Sequence, residues 1–162
     1  MPELLADQVL AQVPQMAGLY SRLILLVGPA GSGKTAALRE ASKRTGHPYV
    51  NVNLELSRRL MGLAQQQRPF SVGAALDEAL REAAEVVLLD NLELLFDPCL
   101  KQDPLRCLER LGRSRTVIAS WNGSVDDGHL IYAAPGHPEY RRYPISDFVI
   151  VTATTDHASE ER

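Results

Sequence analysis

Leu23-Ile24-Leu25-Leu26-Val27-Gly28-Pro29-Ala30-Gly31-Ser32-Gly33-Lys34-Thr35 is the stretch that decides the fold. Its first five residues are apolar without alternation, the pattern of a strand buried on both faces. A glycine-rich turn follows. The chain then runs into a helical pattern over Lys34 to Thr45, stopped by Gly46 and Pro48. Gly28 to Thr35 satisfies G-x-x-x-x-G-K-[ST]. Glycines at 28, 31 and 33 permit backbone conformations that a side chain forbids. Successive N–H groups can then point inward at an anion. The helix that follows aims its positive end at the same place. Such a motif arises by chance in roughly one chain of this length in 200, and the strand–loop–helix setting sharpens it further.

The pattern around this unit repeats its logic. Residues 3–17 read as an N-terminal amphipathic helix, with Leu4, Leu5, Val9, Leu10 and Val13 near a 3.6-residue period and Gly18 as its stop. Tyr49 to Leu54 reads as a second strand. Ser57 to Gln67 and Ser71 to Glu85 read as helices, with Ser71 as the second helix's N-cap. Val86 to Leu89 is a third strand, and Asp103-Pro104 opens a helix to Leu111. Thr116 to Ser120 is a fourth strand, His129 to Ala133 a short one, and Phe148 to Thr152 the fifth apolar strand. Apolar strands alternating with helices predict a three-layer αβα fold around a five-stranded, mostly parallel sheet. Residues 1–155 are expected to form one domain, with residues 1–18 as its N-terminal helix and residues 156–162 as a flexible tail.

Composition narrows the classes. The chain has 162 residues, 45% of them hydrophobic and 23% charged, enough to build a core. A net charge of −3 has the wrong sign for a protein that coats DNA. No apolar run approaches the ~20 residues that span a bilayer, and Met1 to Gly18 lacks the basic start of a signal peptide. A cytoplasmic protein without membrane association is expected. Cys99 and Cys107 match no zinc or redox spacing; a helix between them would put them roughly 12 Å apart, too far for a disulfide. The four histidines show no metal-ligand spacing.

The candidate site residues follow from the motif. Gly28, Pro29, Ala30, Gly31, Ser32, Gly33, Lys34 and Thr35 form the phosphate cradle, and ATP with Mg²⁺ is the expected ligand pair. Lys34 reaches the β- and γ-phosphates as a point charge. Thr35 offers a hydroxyl to Mg²⁺. Asp90, after four apolar residues at the C-terminal end of the third strand, has the form of a Walker B carboxylate that holds the metal. Alternatively it caps the segment that follows. Asn91 stands where many such ATPases have Glu. It can orient a water but cannot take its proton. Glu93 is the alternative base, or a solvated side chain. Asn122, favoured over Ser120, ends the fourth strand as a γ-phosphate sensor, or Asn122-Gly123 merely turns the chain. Arg141 and Arg142, just ahead of the last strand, are the favoured arginine fingers over Arg113 and Arg115; the plainer reading is a solvated basic turn.

Together with Tyr49-Val-Asn-Val-Asn-Leu-Glu-Leu-Ser57 and Val117-Ile-Ala-Ser-Trp-Asn-Gly123, these motifs resemble the core of AAA+ and related additional-strand P-loop ATPases. The chain length and Tyr132-Ala-Ala-Pro-Gly-His-Pro-Glu-Tyr140 resemble the BrxF family of small P-loop proteins from BREX phage-defence systems. That resemblance implies a bacterial or archaeal protein that self-associates or works with other defence-system proteins, with DNA reached indirectly. About ten residues follow the fifth strand, so the helical lid usual in AAA+ proteins is not expected. A Mg²⁺-dependent ATPase, slow without self-assembly or partners, is the leading expectation. A small-molecule kinase with Arg110, Arg113 and Arg115 as its lid, and a scaffold without turnover, are the alternatives. No Asn-Lys-x-Asp guanine-reading motif occurs.

Overall fold

The computed structural model describes residues 2–83 and 85–153. Its helices are α1 (Pro2–Gln12), α2 (Lys34–Thr45), α3 (Val52–Leu60), α4 (Arg68–Ala79) and α5 (Pro104–Leu111). Its strands are β1 (Leu23–Gly28), β2 (Tyr49–Asn51), β3 (Val86–Asp90), β4 (Thr116–Asp126), β5 (His129–Tyr132), β6 (Arg141–Pro144) and β7 (Val149–Thr152). The expected parallel core is present, in the order β2-β3-β4-β1-β7. β1 lies between β4 and β7, and all six of its residues are buried. Alternate residues of one strand therefore serve two cores. Leu23, Leu25 and Val27 pack with α3, α4 and α5, whereas Ile24 and Leu26 pack with α1 and α2. These two clusters are the outer layers of an αβα sandwich.

Local chemistry moves several boundaries from their expected places. The second strand stops at Asn51 instead of continuing to Leu54, because the Asn51 side chain accepts the Leu54 N–H at 3.0 Å and caps α3. The helix expected over 57–67 is accordingly α3, ending at Leu60. The helix expected from Ser71 begins at Arg68, with Pro69 in its first turn. Ser71 is inside it, donating its hydroxyl to the Gln67 carbonyl at 3.2 Å instead of capping. The N-terminal helix changes to a 3₁₀ turn over Val13–Met16, where Pro14 withdraws a backbone donor.

The largest departure lies at the other end of the site. β4 runs on to Asp126 and pairs antiparallel with β5, which pairs with β6, so the sheet has seven strands. Asn122-Gly123 thus continues a strand and does not turn the chain. Arg141 and Arg142 lie in β6, not in a basic turn. An aromatic cluster fixes this hairpin: the rings of Phe96 and Tyr132 stack at 3.5 Å, and Trp121 meets Phe96 edge-on at 5.2 Å. A Cβ on Gly123 would stand 2.0 Å from the Ile131 carbonyl oxygen, so only glycine lets β4 and β5 close there. Among the described residues no helix is long and apolar enough to cross a membrane. The expected tail at 156–162 lies outside the described residues. Cys99 sits in a 3₁₀ turn and Cys107 on α5, both as free thiols.

Candidate functional site

Sheet register delivers the site. Gly28 of β1 is level with Asn122 of β4, and Asn51 of β2 with Asp90 of β3. The C-terminal ends of four parallel strands therefore share one edge, where open α/β sheets bind ligands. A cleft of about 440 Å³ opens there. It is walled by Ala30, Gly31 and Gly33 to Ala36 on one side and by Asp90, Asn91, Glu93 and Asn122 on the other. The glycines are used as the motif requires. Gly31 and Gly33 hold φ of +81° and +95°, and a Cβ on Gly28 would meet the Ala153 carbonyl oxygen at 2.5 Å.

Each charged group in the cleft has internal partners. Lys34 is buried and donates to the carbonyls of Gly28 at 2.8 Å and Pro29 at 2.7 Å. Burial pushes its ammonium below the ordinary lysine range, against the opposing pull of Asp90 and Glu93. Asp90 is also buried. Its Oδ2 accepts the hydroxyls of Thr35 at 2.7 Å and Tyr49 at 2.6 Å. Its Oδ1 accepts the Ser120 hydroxyl at 2.6 Å and the Asn91 N–H at 3.0 Å. Burial raises the Asp90 carboxyl, but these donors, Ser120 first, together hold it below the usual carboxylate range. Glu93 is gripped by two amides: Asn53 Nδ2 donates to Oε1 at 3.0 Å, and Asn122 Nδ2 donates to Oε2.

The structure thus brings together Lys34, Thr35, Asp90, Asn91, Glu93 and Asn122. Asn91 takes the left-handed backbone conformation, φ +57°, which carries the chain past Asp90 so that Glu93 swings back to the cleft. Arg141 and Arg142 do not line the cleft. Arg141 donates to the carbonyls of Gln102 and Tyr140, and Arg142 is exposed on β6. Arg113 and Arg115 precede β4 and so lie at the sheet edge opposite the cleft. Arg110 pairs with Asp77 at 3.0 Å, and the Arg113 guanidinium lies over the Tyr20 ring, 4.9 Å from its centroid, so neither closes over the phosphate loop. Arg58 and Arg59 both pair with Glu55.

Tyr49, Asn53 and Ser120 also touch the two acids, although the sequence marks them weakly. Ser120 was second to Asn122, yet it touches the acid directly. Asn53 was hidden by reading 49–54 as strand; the only available signal was a pair of asparagines, 51 and 53, closing an apolar stretch. Nothing in the sequence marks Tyr49, whose reach to Asp90 depends on the pairing of β2 with β3.

Residues 24–103 match the family described as ATPase family associated with various cellular activities (AAA). The fold is an α/β P-loop NTPase fold, a parallel sheet with flanking helices. The chain is 32% identical over 79 residues to the vesicular-fusion protein SEC18 of Saccharomyces cerevisiae, and 30% identical over 84 residues to a vesicle-fusing ATPase of Caenorhabditis elegans. The alignments cover 48% and 52% of this chain, and the chain spans about a tenth of the length of either relative. Among solved structures it is similar to a DNA replication initiation factor, at 18% identity and TM-score 0.46 over 98% of this chain and 48% of the other. It is also similar to AMPPCP-bound DnaA from Aquifex aeolicus, at 13% identity and TM-score 0.45, covering 98% and 46% respectively.

Proposed function

We propose that residues 1–155 work as one nucleotide-binding domain that takes ATP with Mg²⁺ and hydrolyses its γ-phosphate. The observation that carries this reading is the convergence of Lys34, Thr35, Asp90 and Glu93 on one cleft at the strand ends. The loop N–H groups and Lys34 hold the phosphates. Thr35 and Asp90 are hard oxygen donors 2.7 Å apart, a donor set that suits Mg²⁺ sharing its shell with substrate phosphates. When bound, Mg²⁺ neutralises charge on the phosphates. Glu93, oriented by Asn53 and Asn122, takes the proton of the attacking water, and Asn122 senses the γ-phosphate from the same amide. Asn91 serves as the backbone hinge.

The exposed guanidinium of Arg142 and its neighbour Arg141 act in trans, on the nucleotide of an adjoining copy. Turnover by the isolated chain is therefore slow. The resemblance of the 132–140 stretch to BrxF supports a place in a cytoplasmic phage-defence assembly, with other defence proteins as partners and DNA contacted through them.

ATP hydrolysis across a wide protein concentration range tests this reading, with Lys34→Ala and Asp90→Ala beside the parent. Specific activity should rise with concentration. Lys34→Ala should lose ATP binding, and Asp90→Ala should keep part of the binding and lose Mg²⁺-dependent turnover. Parent-like binding and hydrolysis by both variants would overturn the site assignment.

A further inference from the structure

Asp90 has no unused acceptor. An ionised carboxylate offers about four lone-pair sites, and four donors reach this one: Thr35 and Tyr49 on Oδ2, Ser120 and the Asn91 N–H on Oδ1. These donors are not equivalent. The Asn91 N–H belongs to the residue next in the chain. Ser120 is buried in β4, which is paired with β1 and β3 on its two sides. Thr35 can donate its hydrogen to Asp90 while turning an oxygen lone pair to a cation, so its bond is compatible with metal. Tyr49 comes from β2, the three-residue strand at the end of the parallel core, and is half-buried. It shares Oδ2 with Thr35, which makes Oδ2 the oxygen facing the metal position. The Arg39 guanidinium lies over its ring, 4.8 Å from the centroid, and steadies the phenol there.

We propose that the Tyr49 hydroxyl competes with Mg²⁺ and its water shell for Oδ2 of Asp90, and so sets the Mg²⁺ concentration at which the nucleotide complex forms. The inference rests on the nucleotide-site reading above. Asp90 can accept from a metal-bound water only through a freed lone pair, and Tyr49 is the donor free to leave. The residue thus acts through Asp90 and is a positioning residue. It keeps the acid occupied until the metal arrives.

Tyr49→Phe removes the competing hydroxyl and keeps the ring under Arg39. The measurement is ATP binding by calorimetry, first without metal and then as a Mg²⁺ titration, for the parent, Tyr49→Phe and Ser120→Ala. Metal-free ATP affinity of Tyr49→Phe should stay within about twofold of the parent, which also reports an intact fold. Its Mg²⁺ midpoint should fall about tenfold, the worth of one hydrogen bond to a charged group. Ser120→Ala, which frees only Oδ1, should not lower the midpoint. An unchanged or higher midpoint in Tyr49→Phe, or an equal drop in Ser120→Ala, would overturn the proposal while leaving the nucleotide site standing. Failure of the parent to bind ATP at all would remove the nucleotide-site reading and this proposal with it.

Discussion

Glu93→Gln separates chemistry from binding with little structural disturbance, and the hydrogen bonds show why. Each Glu93 oxygen accepts one amide, from Asn53 and from Asn122. Glutamine offers one oxygen and one NH₂ in the same volume, so one amide must reverse. Asn53 cannot, because its Oδ1 already accepts the Leu94 N–H at 2.7 Å. Asn122 can flip and present its oxygen. The new side chain is then fully bonded, and the cost is one charge-assisted bond exchanged for a neutral one, about 1 kcal/mol. In a domain of this size that lowers Tm by roughly 2–4 °C. The loss of a general base is larger, about 10²- to 10⁴-fold in rate, or roughly 2.7–5.4 kcal/mol.

Phosphate release at saturating ATP, paired with calorimetric ATP binding and a thermal melt, reads all three quantities. Glu93→Gln should hydrolyse at least about a hundredfold more slowly, bind ATP about as well as the parent, and melt within a few degrees of it. Asn91→Gly, which keeps the left-handed backbone and removes the amide side chain, should hydrolyse like the parent. The reverse pattern, with Glu93→Gln active and Asn91→Gly dead, would refute the assignment of the base to Glu93.

Two further outcomes follow from the same geometry. Asp90 is held below the usual carboxylate range in the folded state, so its contribution to stability is present at neutral pH and is lost as pH falls through its folded pKa. Ser120→Ala removes the strongest of the donors that hold it there, so the acid-unfolding midpoint, followed by circular dichroism, should move to higher pH; an unmoved midpoint would contradict the role given to that bond. Gly123→Ala places a Cβ 2.0 Å from a backbone oxygen and 2.9 Å from Trp121 Nε1. It should cost on the order of 3 kcal/mol or more, as an overpacked and strained site does. A Tm within a degree of the parent would show that the β4–β5 closure is slack.

The parallel core was legible because its determinants are local. An apolar run, a glycine-rich turn and a helix pattern sit within 23–45, and β3 ends on its own acid. Lys34, Thr35 and Asp90 were found for the same reason. The misses all involve competition between local options. Asn51 caps a helix that an apolar pattern alone assigns to a strand. β4 continues past Asn122 because Phe96, Trp121 and Tyr132 pack across the hairpin, a contact no local pattern encodes. Tyr49 and Asn53 reach their partners through the β2–β3 pairing and the turn after Asp90, at sequence separations of 41 and 40. Periodicity carries no information at that separation.

The charged groups of the site are partnered within the chain, and this bears on how a nucleotide gains affinity. Lys34 holds the loop's own carbonyls, Asp90 is saturated by four donors, and Glu93 is shared by two amides. A phosphate entering the cleft therefore exchanges bonds at Lys34 and does not simply add them. An exchange returns only the difference between a charge-assisted bond to phosphate and the bond given up to a carbonyl. Apart from the Ser32 N–H, which donates to the Pro29 carbonyl at 3.2 Å, the N–H groups of the loop and the first turn of α2 contribute without such a loss, because no backbone carbonyl precedes them in the helix to accept their hydrogens. Binding should thus lean on the backbone of the loop together with the Lys34 charge, while Asp90 contributes most where charge develops during phosphoryl transfer. That division separates the two side chains: Lys34→Ala should lose binding, whereas Asp90→Ala should keep part of it and lose turnover.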